Sequence, residues 1–124
     1  GRLWWTGFRT DMPALMAAAD VVVLTSDNEG TPVSLIEAQA AGRPIISCDV
    51  GGVSSVVING VTGYAVPVGD EAGFADRTIA VLQNDRLAGL LGRAGREHVF
   101  AHFGVDRLVS DLDRLYRELL AATT

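Results

Sequence analysis

The sequence has 124 residues, 48% of them hydrophobic and 20% charged, the size and composition of one globular domain rather than a disordered or fibrous chain. Ten basic against 15 acidic side chains give a formal charge of −5, opposite in sign to a nucleic-acid binder, and apolar runs such as Val21–Leu24 fall far short of the roughly 20 residues of a membrane helix. A single cysteine, Cys48, permits no internal disulfide and no signal peptide opens the chain, so the expected setting is the reducing cytoplasm.

The chain opens on Gly1 rather than methionine and runs directly into an apolar segment, which reads as a cut-out piece or a processed product. Leu3-Trp4-Trp5-Thr6-Gly7 predicts a short strand ended by glycine, with Trp4 and Trp5 on opposite faces so that one packs inward and the other needs a further neighbour. Asp11 is placed to cap a helix over 12–19, with Pro13 in its first turn. Val21 to Thr25 is a continuous run dominated by β-branched residues, expected for a parallel strand buried on both faces. The next helix is punctuated at both ends, with Thr31 as cap, Pro32 at the first position, and Gly42 and Pro44 as the stop. Strands are predicted at Pro44–Cys48 and Gly63–Pro67, separated by Gly51-Gly52, an apolar stretch over 53–58 and turns at Asn59-Gly60 and Thr62-Gly63. Helices follow over 70–83, 86–101 and 105–122. Strands alternating with helices, then a helical tail, predict an α/β fold: a partial Rossmann-like parallel sheet of about four strands with flanking helices.

In such sheets ligands sit beyond the carboxyl ends of the strands, which directs attention to the loops after Thr25 and after Cys48. The first, Ser26 to Ser34, is small and polar and delivers the chain to a helix N-terminus, where free amides and the helix dipole favour an anion. The second contains Gly51-Gly52, whose amides can approach a phosphate with no side chain in the way. Glu29 lies in the first loop, and Glu37 lies one turn inside the helix on the side of Val33 and Ser34. A carboxylate there can accept hydrogen bonds from both vicinal hydroxyls of a ribose while the phosphates rest at the helix end. Taken singly, each glutamate also reads as a solvated helix carboxylate or a first-turn charge.

The run from Ser26 to Ile46, with Glu29 and Glu37 bracketing seven residues and Glu37-Ala38-Gln39-Ala40-Ala41-Gly42-Arg43-Pro44 following, resembles the signature of glycosyltransferase family 4. Gly7, Asp11, Ala19-Asp20, Gly51-Gly52, Asn59-Gly60, Thr62-Gly63 and Phe103 extend the resemblance along nearly the whole chain. It implies half of the C-terminal, donor-binding domain of a GT-B enzyme, one domain over 1–124 incomplete on its N-terminal side. It further implies a retaining, metal-independent transfer of sugar from a nucleotide-diphosphate donor, with no cofactor and with the leaving phosphate helping to deprotonate the acceptor. Glu29 would be the catalytic residue, contacting the donor sugar, and Glu37 would hold the ribose. Gly30, Thr31, Pro32, Val33, Ser34 and Leu35, together with Gly51 and Gly52, would complete the donor site through backbone amides. A carbohydrate or lipid acceptor, and an arginine–lysine pair neutralising the pyrophosphate, would belong to the part preceding Gly1. Two departures stand out: Ser55 replaces a frequent glutamate, and Gln39 a common methionine.

Two other readings stay open, a nucleoside-diphosphate-binding module and a structural half-domain with an idle motif. In the doubly wound order 3-2-1-4-5-6 the Leu3 strand is third and the Val21 strand fourth, with two strands missing between them. The expectation is that these two close up, or that a second copy fills the gap by dimerisation or swapping. Of the remaining polar features, His98 and His102 read as a surface pair rather than a metal site, Asp111 and Asp113 as solvated helix carboxylates, and Cys48 as a small core residue.

Overall fold

A computed structural model describes residues 1–123. In chain order it contains α1 (Met12–Ala18), β1 (Val22–Leu24), α2 (Val33–Ala40), β2 (Ile45–Cys48), a 3-10 turn (Gly51–Ser55), β3 (Tyr64–Val66), α3 (Glu71–Leu82), α4 (Asp85–His102) and α5 (Val105–Ala122). The strands form one parallel sheet in the order β1-β2-β3, with Val22 opposite Ile45 and Ile46 opposite Tyr64.

The central strand carries the reason for the fold. Ile45 and Ile46 point to opposite faces and both are fully buried, so each face needs a covering layer. On one side Ile45 joins Met16 of α1, Leu35 and Ala38 of α2, and Val53, Val56 and Val57 in and just after the 3-10 turn. On the other Ile46 meets Val66, Val81 of α3 and Leu91 of α4. The apolar stretch over 53–58 therefore gives its three valines to the core and opens in a 3-10 turn, while Ile58 stays 45% exposed.

α2 ends as its sequence predicts. Gly42 adopts φ +72°, its amide bonds to Gln39 and that of Arg43 to Ala38, the pair of closures that lets a helix stop at a left-handed glycine. The start differs from expectation. Pro32 takes an extended backbone and becomes the N-cap itself, so Thr31 lies outside the helix and caps nothing. Asp11 also fails to cap α1, because the Arg9 guanidinium engages its carboxylate and holds its pKa below the usual range. α3 and α4 carry true side-chain caps, Asp70 accepting from the Gly73 amide at 2.9 Å and Asn84 from Leu87 at 3.0 Å.

The strand expected at Leu3–Thr6 does not form, so the sheet has three strands rather than about four. Residues 1–10 carry no regular structure, and Trp4 and Trp5 are both exposed, at 78% and 90%. A strand needs a ladder partner for its amides and carbonyls. In the doubly wound order this segment and β1 are not neighbours, and they do not close up on each other. At the other end of the chain, α5 buries no residue among those described.

Candidate functional site

The loops after β1 and β2 meet at the carboxyl end of the sheet, backbone against backbone. Gly52 donates its amide to the Glu29 carbonyl at 3.1 Å. A Cβ on Gly51, which sits at φ +49°, would fall 1.8 Å from that carbonyl oxygen, and one on Gly52 would fall 2.1 Å from the Gly30 carbonyl oxygen. The first task of the two glycines is thus to let the loops touch, which fixes Glu29 and Gly30 over the start of α2. The Gly52 amide is consumed in that junction.

Among the described residues, the amides of Thr31, Val33, Ser34 and Gly51 have no acceptor within the chain. Those of Val33 and Ser34 are the donors a helix leaves open in its first turn, at the positive end of its dipole. Leu35 plays a different part, since its amide bonds to the Pro32 carbonyl at 3.1 Å and its side chain is fully buried. Pro32 is buried too, so both support the turn from inside. Glu29 is half-buried and Glu37 exposed, and neither carboxylate has an internal partner. Glu37 opens onto a groove of about 450 Å³ shared with Pro13, Met16 and Ala17 of α1 and Arg96 of α4. The structure thus brings Glu29, Gly30, Gly51, Gly52 and the head of α2 together, with Glu37 one turn further along.

A second concavity, about 470 Å³, also lies at the carboxyl ends of the strands, lined by Thr25, Asp27, Cys48, Asp70 and Phe74. Sequence reading did not single out the loop after β3 that forms its far wall, although the strand-end rule points to it equally. Cys48, expected in the core, is only half-buried there. Ser55, where the family often has glutamate, donates its hydroxyl to the Gly52 carbonyl at 2.6 Å and secures the glycine turn. His98 and His102 stack at 4.5 Å, and no cluster among the described residues could hold a metal. Asp111 pairs with Arg107 and Arg114, and Asp113 with Arg117, within α5. No described helix is long and apolar enough to cross a membrane.

A family model described as glycosyl transferases, group 1, matches residues 1–84, a span that contains both loops and all three strands. The chain belongs to the group 1 glycosyl transferases. Among relatives, N-acetyl-alpha-D-glucosaminyl L-malate synthase of Bacillus anthracis is 34% identical over 96% of this chain but only 31% of its own length. Among solved structures, sucrose-phosphate synthase from Thermosynechococcus elongatus is 37% identical with a TM-score of 0.79, covering 87% of this chain and 27% of that one. Anabaena HepE, solved in complex with UDP, shares the fold at a TM-score of 0.86 and 24% identity, over 91% of this chain and 31% of its own. This group 1 chain therefore spans about a third or less of these relatives.

Proposed function

We propose that these residues are the donor-binding part of a retaining glycosyltransferase that takes sugar from a nucleotide-diphosphate donor. The observation that carries this reading is the junction of Glu29–Gly30 with Gly51–Gly52 above the open amides of α2. It supports a diphosphate seated on the amides of Thr31, Val33, Ser34 and Gly51, where a preorganised dipole stabilises the charge that grows on the leaving group. Glu37, one turn along, is assigned to the ribose hydroxyls, and Glu29 to those of the sugar. Retention follows if the sugar leaves and the acceptor enters from the same face, with the departing phosphate taking the acceptor proton. Acceptor binding and part of the charge neutralisation are assigned to the portion of such a protein outside these residues.

Calorimetric titration of the 124-residue chain with UDP, GDP and ADP tests the proposal. One nucleoside diphosphate is expected to bind saturably and to raise the melting temperature with concentration, as ligand linkage requires. Absence of binding by all three would overturn it.

A further inference from the structure

All ten basic side chains of this acidic protein are arginines. Most have an evident occupation. Arg9, Arg107, Arg114 and Arg117 pair with carboxylates, Arg43 and Arg96 bond backbone carbonyls, and Arg77 lies over the Tyr64 ring. Among the described residues, apart from Arg2 in the exposed N-terminal stretch, only Arg86 and Arg93 have no partner. They lie on the same face of α4, two turns apart, and line one cleft.

That cleft, about 440 Å³, lies between α4 and the turn that ends α2. Its floor is bare backbone. A Cβ on Gly92 would stand 2.2 Å from the Gly42 carbonyl oxygen, so α4 rests directly against the turn, while Cβ atoms on Gly42 and Gly89 would meet nothing. Arg96 closes the far end, its guanidinium anchored on the Ala40 carbonyl at 2.6 Å. One carboxylate, Asp85, shares the wall and pairs with none of the three arginines. Three guanidiniums against one carboxylate, around a floor that lets a ligand approach the backbone, oppose the sign of the whole chain.

We propose that this cleft binds a phosphate group, gripped by Arg86 and Arg93 with Arg96 behind them. The planar fork of arginine matches tetrahedral phosphate oxygens through paired donors. Because Gly42 precedes β2 and Gly51 follows it, the cleft lies at the opposite end of the sheet from the donor loops, with Arg96 standing between it and the Glu37 groove. The phosphate belongs either to a soluble ligand or to a lipid headgroup, and the two sources share this chemistry.

The test uses the isotopically labelled 124-residue chain, titrated with inorganic phosphate while amide resonances are followed, and separately sedimented with vesicles containing phosphatidylglycerol or phosphatidylcholine alone. Saturable shifts at Gly42, Gly89 and Gly92 are expected, weakened at least ten-fold in the Arg86→Gln, Arg93→Gln double variant and unchanged in Arg114→Gln. Both substituted residues are exposed, so circular dichroism should show an intact fold. Binding only to phosphatidylglycerol vesicles, with the same arginine dependence, also supports the site and assigns it to lipid. Shifts confined to Val33 and Ser34, no binding in either arm, or binding that ignores the double substitution would each overturn it.

Discussion

At Gly52 a single methyl group decides whether the two site loops can meet, since it would stand 2.1 Å from the Gly30 carbonyl oxygen. Gly52→Ala is expected to destabilise the fold by about 1–3 kcal/mol, the usual cost of overpacking, and to abolish nucleoside-diphosphate binding by displacing the Gly30–Thr31 backbone that leads into the open amides of α2. Urea unfolding and calorimetry read the two effects, and an unaltered affinity would detach the glycines from the site. Glu37→Ala should do the reverse. On the proposed reading it removes charge-assisted bonds to ribose, so affinity for nucleoside diphosphate should fall about ten-fold or more, while an exposed helical position leaves stability within about 0.5 kcal/mol. Glu29→Ala should weaken a nucleotide sugar and spare the free nucleoside diphosphate. His98 sets a pH dependence. Its Nε2 is buried without a partner, and burial first, then the neighbouring His102, pull its pKa below the ordinary 6.5. The folded state holds it neutral, so its contribution is present above about pH 6.5 and is lost as pH falls through the lowered folded value. Denaturant midpoints measured from pH 8 to 5 should therefore drop, and drop less in His98→Gln; equal slopes would remove His98 as the cause.

Among the elements, α2 was the most legible and α5 the least informative about its surroundings. The C-terminal stop of α2 could be read from Gly42 because only glycine takes φ +72° without steric cost. Its N-terminus was misread by one residue, since Thr31 satisfies the capping pattern but Pro32 spends its extended backbone on the cap position instead. The caps of α3 and α4, Asp70 and Asn84, flank the predicted helix starts because a side-chain oxygen one turn ahead of an open amide is a local feature. α5 has the length and periodicity of a helix, yet Leu112, Leu115 and Leu119 stay 40%, 47% and 56% exposed. Periodicity reports an apolar face and is silent on what it meets. Because α5 buries none of its residues, ending the chain at Gly104 should change the unfolding free energy of the remainder by no more than about 1 kcal/mol. A much larger loss in a denaturant titration would mean that α5 supports the core in solution.

For the molecule as a whole, the chain spans 31% of the length of its Bacillus anthracis relative, and its candidate site loops stand at the carboxyl end of a three-stranded sheet. By itself it is expected to bind donor nucleotide without transferring sugar, because helix amides alone supply only part of the leaving-group stabilisation. Turnover of a UDP-, GDP- or ADP-sugar above a Glu29→Ala control would contradict this. The sequence by itself determined the parallel α/β class, the order of helices and strands after Asp20, and the group of residues at the head of α2. These are set by local periodicity, turn residues and a spaced motif, all of which are carried within short windows of chain. The tertiary structure decided the rest. Leu3–Thr6 has the β propensity of a strand but no neighbour to complete its hydrogen bonds, so it stays exposed. Gly51 and Gly52 read as a phosphate cradle, and packing turned them first into the contact that joins two loops. Arg86 and Arg93 belong to no motif in the sequence, and it is the approach of α4 to the Gly42 turn that places them around one cleft. Each of these outcomes depends on which distant backbone arrives alongside, and that is settled only when the sheet and its helices pack.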